Sequence, residues 1–209
     1  DNSVPPQRRN VWRLCALVLT ILAGVAGSRA VAAGSLLLAD PLAPLEEAWT
    51  HRVFGNATDY RRVAIDGLPA IRAIGRNSAS GLYRQVHYRV AEYPWLEWHW
   101  RVARLQQDAD IRVKEHEDFA AAIFLIFGQP SLFHQDVPTL AYVWTNDRLP
   151  QGAIVDSPHH PGVVRSYIVE SGTSRLGQWV RERRNLIEDF RHAFGRDPPD
   201  TVNVLALFT

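Results

Sequence analysis

The fold of this chain is decided by the stretch Pro94-Trp95-Leu96-Glu97-Trp98-His99-Trp100-Arg101-Val102. Every second side chain from Leu96 to Val102 is apolar, and the three side chains between them are polar. A period of two is the spacing of a β-strand, because its successive side chains point to opposite faces. Trp98 and Trp100 lie on the apolar face, and each indole can bury about 200 Å². The stretch therefore predicts a strand that anchors a core.

The opposite face of this strand carries Trp95, Glu97, His99 and Arg101. Such a row is either solvated surface or the floor of a binding groove. An exposed indole beside polar groups suits a sugar, since the ring stacks on the C–H face while the polar groups bind hydroxyls. Simple packing remains the alternative for each tryptophan. The predicted ligand-binding residues, from this face and from neighbouring strands, are Arg84, Trp95, His99, Arg101, Trp144 and Asn146.

The rest of the chain predicts a mostly β protein. Asp66-Gly67 is suited to a tight hairpin turn, and residues 119–127 form an apolar run typical of a strand that is covered on both faces. Apolar residues at helical spacing predict one amphipathic helix from Trp179 to Phe194, with Gly195 as its C-terminal cap. About eight strands, one helix and no alternation of strands with helices predict an antiparallel β-sandwich of jelly-roll type.

The N-terminal residues have the pattern of a secretory signal peptide. Arg8, Arg9 and Arg13 are followed by an apolar run and then by small residues up to Ala33. We therefore expect a signal peptide at residues 1–33, a lead-in segment at 34–48 and one domain at 49–209. An uncleaved membrane anchor is the alternative. Otherwise the protein is expected to be exported to the periplasm or the extracellular space, with no membrane span after cleavage.

Charge and cysteine content exclude several classes of function. Removal of the predicted signal peptide takes away four arginines and one aspartate, which lowers the formal charge from +1 to −2. A domain without a basic excess is not expected to bind nucleic acid. Cys15, the single cysteine, lies inside the apolar run, so the mature domain has no thiolate for catalysis or metal binding. Neither a metal site nor a cofactor motif is predicted.

The candidates for catalysis are carboxylates. Glycoside cleavage needs two carboxyl groups about 5–10 Å apart, and Glu97 and Asp118 are the candidate pair. The alternative is that Asp118 caps the entry to the buried strand while its neighbour Glu117 is solvated. The sequence leaves the catalytic residues unassigned.

Several blocks of sequence also resemble the bacterial family catalogued as domain of unknown function 3047. The similarity extends from about Trp49 to the end of the chain, and it implies an exported protein with a galactose-binding-like β-sandwich. Members of that family continue past the last strand, and this chain ends at Thr209 within an apolar run, so we expect a C-terminal truncation. The main matching blocks are Ser78–Arg84, Pro94–Val102, Asp118–Ala121, Tyr142–Asn146, Gly177–Val180 and Glu188–Arg191.

Three functions remain open at this point. The first is an exported β-sandwich module that binds a carbohydrate or another ligand of the cell envelope. The second is a carbohydrate-active enzyme, either a hydrolase or a lyase, with a carboxylate pair. The third is a structural envelope or assembly protein, for which the face of Glu97, His99 and Arg101 would be flat and exposed. A concave aromatic groove, or two facing carboxyls, would distinguish them.

Overall fold

Eleven strands and two helices make up most of the regular structure in the computed structural model, which describes residues 34–40, 42–128 and 137–209. The helices are α1 (Leu45–Ala48) and α2 (Leu186–Phe194), and a short 3-10 helix spans Lys114–His116. The strands are β1 (Thr50–Val53), β2 (Asp59–Ile65), β3 (Leu68–Ile74), β4 (Ser80–Arg89), β5 (Trp95–Trp100), β6 (Ala121–Phe127), β7 (Thr139–Thr145), β8 (Ile154–Asp156), β9 (Val164–Ser171), β10 (Val180–Asn185) and β11 (Thr201–Phe208).

Seven of these strands form one main sheet in the order β1-β4-β11-β6-β7-β9-β8, while β5 pairs with β10 and β2 pairs with β3. Every pair among the described strands is antiparallel except β7 and β9, which run parallel. The prediction of a mostly β chain is confirmed, and the arrangement is consistent with a β-sandwich.

The β5–β10 pair packs as a second layer on the inner face of the main sheet. The ring centroid of Trp98 lies 5.1 Å from that of Tyr142, and Trp100 lies 5.7 Å from Trp144. Leu96 and Trp100 are buried and Trp98 is partly buried. The predicted alternation of β5 is therefore confirmed, and its indoles join the two layers.

The apolar strand β6 is covered on both faces, as its sequence predicts. Leu125 and Phe127 belong to the core between the two layers, whereas Ala122 belongs to a smaller core on the outer face of the main sheet. That outer core includes Ile111, which comes from the segment between β5 and β6. This segment is irregular apart from one 3-10 turn, and it covers the sheet rather than extending into solvent.

The helix prediction is right at its C-terminal end and wrong at its start. Residues 180–185 form strand β10, since pairing with β5 satisfies the backbone groups along that edge. The helix begins only after Asn185, whose Oδ1 accepts hydrogen bonds from the backbone of Ile187 and Glu188. Gly195 ends it with a φ of 69°, as predicted. Phe190 is buried, 4.8 Å from the ring of Phe127.

The predicted hairpin turn is also confirmed. Asp66 and Gly67 connect β2 to β3 and have φ angles of 54° and 78°. Positive φ at both central residues is what a two-residue turn with the twist of a β-hairpin requires.

The predicted signal peptide falls on residues outside the described part of the chain. The lead-in segment contains α1, and its Leu38 and Leu45 pack against the main core. Among the residues that the structure describes, no helix is both long and apolar enough to cross a membrane.

Candidate ligand-binding site

The outer face of β5 carries the predicted row of Trp95, Glu97, His99 and Arg101, and all four residues are exposed. Strand register places Arg181 and Arg183 of β10 opposite this row. Side chains of antiparallel partners that lie directly opposite each other are close enough to interact. The partners of this face therefore come from the adjacent strand.

The acid and the indole of this face both have partners on β10. Glu97 accepts two hydrogen bonds from Arg181, at 2.9 and 2.7 Å, and these bonds lower the pKa of its carboxyl. The guanidinium of Arg183 lies 4.3 Å from the ring centroid of Trp95, within the range of a cation–π contact. One face of the exposed indole is therefore covered.

Arg101 also has a partner, since its Nη1 donates to Asp66 Oδ2 at 2.9 Å. His99 lies opposite Arg181 in the strand register. No residue of this face lines either of two surface pockets among the described residues. Trp95, Glu97 and Arg101 on this face each have a side-chain partner.

Two other predicted ligand residues lie in the interior. Trp144 is fully buried and its Nε1 donates to Gly172 O at 3.3 Å, so the expectation that it presents an exposed ring is wrong. The reason is that β7 is covered on both faces of the main sheet. Asn146 is also buried, and its Nδ2 donates to the carbonyl of Ala109 at 2.8 Å, which holds the segment between β5 and β6 in place.

Arg84 lies on the inner face of β4 and is half-buried. Its Nη1 donates to the carbonyl oxygen of Ala48 at 3.3 Å, which ties α1 to the main sheet. Arg84 therefore has a structural role in the main sheet, whereas the row of predicted residues lies on β5 in the second layer.

A pocket of about 500 Å³ lies at one end of the main sheet, and we call it the loop-end pocket. Neighbouring antiparallel strands alternate in direction, so the ends of β1 and β11 meet the starts of β4 and β6 at this edge. The segment between β5 and β6 supplies the remaining wall. The lining residues are Phe54, Ser78, Ala79, Ser80, Gln106, Gln107, Asp108, Ala109, Glu115, His116, Glu117, Asp118, Phe119, Phe208 and Thr209.

An exposed aromatic ring lies at this pocket. Phe54 is 65% exposed, and its ring stacks on that of Phe208 at 6.4 Å with an interplanar angle of 12°. Phe208 in turn packs against Phe124 at 4.8 Å, which anchors the pair to the sheet. Gly81 makes room for this ring, because a Cβ there would approach Phe208 to within 2.6 Å. The backbone N–H of Phe54 donates to Ala79 O at 2.8 Å.

Asp118 lies just before β6 and lines the loop-end pocket. Although Asp118 is an exposed residue, the protein around its carboxyl displaces enough water to raise the pKa of that group. A hydrogen bond of 2.8 Å from the backbone N–H of Phe119 opposes this effect. A carboxyl with a raised pKa in a pocket is a common feature of functional sites.

Glu117 is the second acid beside this strand. Its Oε1 accepts a hydrogen bond from Ser157 Oγ at 2.7 Å, and His159 Nε2 lies 3.6 Å from its Oε2. That Oε2 is buried and accepts no hydrogen bond from the described residues. Glu117 is thus held in place through one oxygen, while the other lacks a close donor.

The structure does not bring the predicted acid pair together. Glu97 is bound to Arg181 on the outer face of β5, whereas Asp118 lines a pocket to which Glu97 does not contribute. The described residues contain no group of three or more side chains that could hold a metal ion.

A different pair of carboxyls meets between the layers, Glu170 on β9 and Glu182 on β10. Burial raises the pKa of Glu182 to about 7, and the charge of Glu170 and a hydrogen bond with it add to this effect. A proton on Glu182 can be donated to Glu170, since two ionised carboxylates cannot hydrogen-bond to each other. Glu170, which is 3% exposed, also accepts a hydrogen bond from Arg175 at 2.9 Å.

The sequence does contain a signal for the position of Glu182, namely the alternation of residues 180–185. The prediction of a helix over the same residues hid that alternation. With a period of two, Val180, Glu182 and Arg184 face the core together, whereas a helix would separate them. Arg184 binds Asp189 through two bonds of 2.6 and 2.8 Å. This cluster connects β9, β10 and α2. Neither Glu170 nor Glu182 lines either of the same two surface pockets of the described residues.

A family model described as "Protein of unknown function (DUF3047)" matches residues 47–209. The comparison with curated proteins gave no match. The matched residues include all eleven strands and every residue that lines the loop-end pocket.

Proposed function

The chain belongs to the DUF3047 family, and we propose that its domain binds a carbohydrate of the cell envelope in the loop-end pocket. The observation that carries this proposal is the exposed ring of Phe54, which stacks on Phe208 beside the carboxyl of Asp118. The proposal includes export to the periplasm or the extracellular space through the signal peptide expected at residues 1–33.

The composition of the pocket supports a sugar as the ligand. The exposed face of Phe54 can stack on the C–H face of a pyranose, and an aromatic contact of this kind favours a ring-shaped ligand over an extended chain. The hydroxyl of Ser78, the amide of Gln107 and the carboxyl of Asp118 supply donors and acceptors for the sugar hydroxyls. A volume of about 500 Å³ is within the range of small-molecule sites.

The test is a glycan array with the wild-type protein and two matched aromatic variants. Phe54→Ala removes the ring at the pocket, and Trp95→Ala removes the half-exposed indole on β5. We expect the wild type and Trp95→Ala to bind the same glycans, and Phe54→Ala to lose them. An array on which the wild type binds nothing would refute the proposal and favour a structural role.

The raised pKa of Asp118 favours a second candidate, hydrolysis of a glycosidic bond in the same pocket. A protonated Asp118 would donate its proton to the leaving oxygen, and a second carboxyl such as Glu117 would activate water or attack the sugar. Glu170 and Glu182 are not proposed for this chemistry, because neither residue lines the loop-end pocket.

Release of reducing ends from a bound glycan separates the two candidates. An enzyme would release them, and Asp118→Asn would abolish the release while the glycan still bound. A binding module would bind the glycan and leave it intact in both proteins.

A further inference from the structure

A second pocket of about 360 Å³ adjoins the loop-end pocket, and we call it the side pocket. The chain between β5 and β6 forms a wall of both pockets. Residues 103–105 line the side pocket, Gln106, Asp108 and Ala109 line the loop-end pocket, and Gln107 lines both. A ligand longer than one sugar unit can therefore pass from one pocket into the other across Gln107.

The backbone of this shared wall is held by hydrogen bonds from β7 and the turn that follows it. Asn146 Nδ2 donates to the carbonyl oxygens of Gln106 and Ala109, at 3.1 and 2.8 Å, and Asn146 is itself buried. Arg148 Nη2 donates to the carbonyl oxygen of Gln107 at 3.2 Å. Because these bonds are present before a ligand binds, a chain that fits both pockets does not have to order the wall between them.

The side pocket offers polar groups that suit sugar hydroxyls. Among its described lining residues, Arg104 is the one cation and Asp147 is the one anion. Both are exposed, and neither belongs to an ion pair among the described residues. A hydroxyl both donates and accepts, so a guanidinium can donate to it and a carboxylate can accept from it. Leu105 and Leu176 add aliphatic surface for the C–H groups of a pyranose.

The opposite charges of Arg104 and Asp147 select against a charged sugar in the side pocket. An acidic unit would be attracted by the guanidinium and repelled by the carboxylate, and for an amino sugar the two effects are reversed. A neutral unit meets a donor and an acceptor without either repulsion. The side pocket therefore suits a neutral sugar.

We infer that the ligand is a neutral oligosaccharide of at least two linked sugar units, with one unit stacked on Phe54 and another in the side pocket. This inference rests on the proposed function, and it names the substrate class. A single sugar would reach only one of the two pockets.

The test is a titration, followed by NMR, of the protein with homo-oligomers of glucose, galactose, mannose and N-acetylglucosamine, each from one to six units long. In a series that binds, we expect the affinity to rise at least ~10-fold from the single sugar to the chain that spans both pockets, because the second contact becomes intramolecular. Units beyond that length should add little.

Two variants locate this gain. Arg104→Ala combined with Asp147→Asn should remove the gain with chain length and leave the affinity for the single sugar unchanged, since that sugar lies on Phe54. Arg72→Ala is the matched control, because Arg72 is an exposed arginine of β3 that lines neither pocket. It should leave the gain unchanged.

Equal affinity for one unit and for six, or a gain that survives in the double variant, would overturn the inference and leave the proposed function standing. Binding of glycans on the array without binding of any of the four series would have the same meaning. Absence of binding in every series and on the array would overturn both.

Discussion

The outer face of β5 and the loop-end pocket each combine an exposed aromatic ring with carboxylates, yet their charges are arranged differently. On β5, Glu97 is bound by Arg181, and the ring of Trp95 is covered by Arg183. In the pocket, Phe54 presents an exposed ring, and carboxyls outnumber cations.

The difference teaches how backbone pairing satisfies polar groups. Two antiparallel strands place their side chains in direct register. Backbone pairing alone therefore brings the arginines of β10 next to the residues of β5. Strand ends and loops meet without such a register, and polar atoms there are available to a ligand. A row of aromatic and charged residues on a strand is thus weaker evidence of a binding site than an incompletely paired pocket at the ends of strands.

The largest expected effect is on stability, and it separates the two faces of β5. Trp100→Ala removes a buried indole that packs on Trp144, so we expect a loss of about 3–5 kcal/mol in the free energy of unfolding. Trp95→Ala changes an exposed residue and should cost less than about 1 kcal/mol. Urea unfolding measures the free energy of unfolding of the wild type and of both variants. Equal losses would mean that the outer face of β5 is buried by something and is part of the core.

The inner face of β10 gives a smaller, pH-dependent effect. The pKa of Glu182 is raised from 4.5 to about 7 in the folded protein, so the folded state holds this proton more tightly than the unfolded chain. The stabilisation is complete below pH 4.5 and is lost as the pH rises through about 7. With allowance for solvent that still reaches this half-buried group, we expect a loss of about 1–2 kcal/mol.

Unfolding of the wild type and of Glu182→Gln at pH 5 and pH 8 measures this effect. The amide can still donate to Glu170 but does not titrate, so the variant should gain stability relative to the wild type at pH 8. If Glu182 and Glu170 do not share a proton, the free energies of unfolding of the two proteins would change by the same amount between pH 5 and pH 8.

Much of the layer structure could be predicted from local patterns. The alternation in residues 94–102, the Asp66-Gly67 turn and the apolar run of β6 each depend on neighbours in the sequence, and each prediction is confirmed. The start of α2 was predicted wrongly because Trp179 and Leu186 are also at helical spacing, and the partner strand β5 decided the outcome.

The pocket could not be predicted in the same way. It is assembled from the ends of strands that are far apart in the sequence, with Phe54 and Phe208 in stacked contact across it. The burial of Trp144 could not be predicted either, because burial of β7 depends on what packs on both faces of the sheet. The position of Asp118 just before β6, by contrast, depends only on the local sequence and could be predicted.

The smallest expected effect concerns the paired charges of the outer face. Arg181→Ala removes the partner of Glu97, and exposed ion pairs contribute little to stability. We expect no measurable change in the urea midpoint and no change in glycan binding. If Arg181→Ala loses glycan binding while circular dichroism shows an intact fold, the binding site lies on the outer face of β5 and not in the loop-end pocket.

The most direct measurement of the central claim is amide hydrogen exchange of the protein with and without the glycan that the array identifies. Our account predicts that the ligand slows exchange in residues 106–109 and 115–119, which line the loop-end pocket, and leaves β5 and β10 unchanged. Slower exchange confined to β5 and β10 would contradict it.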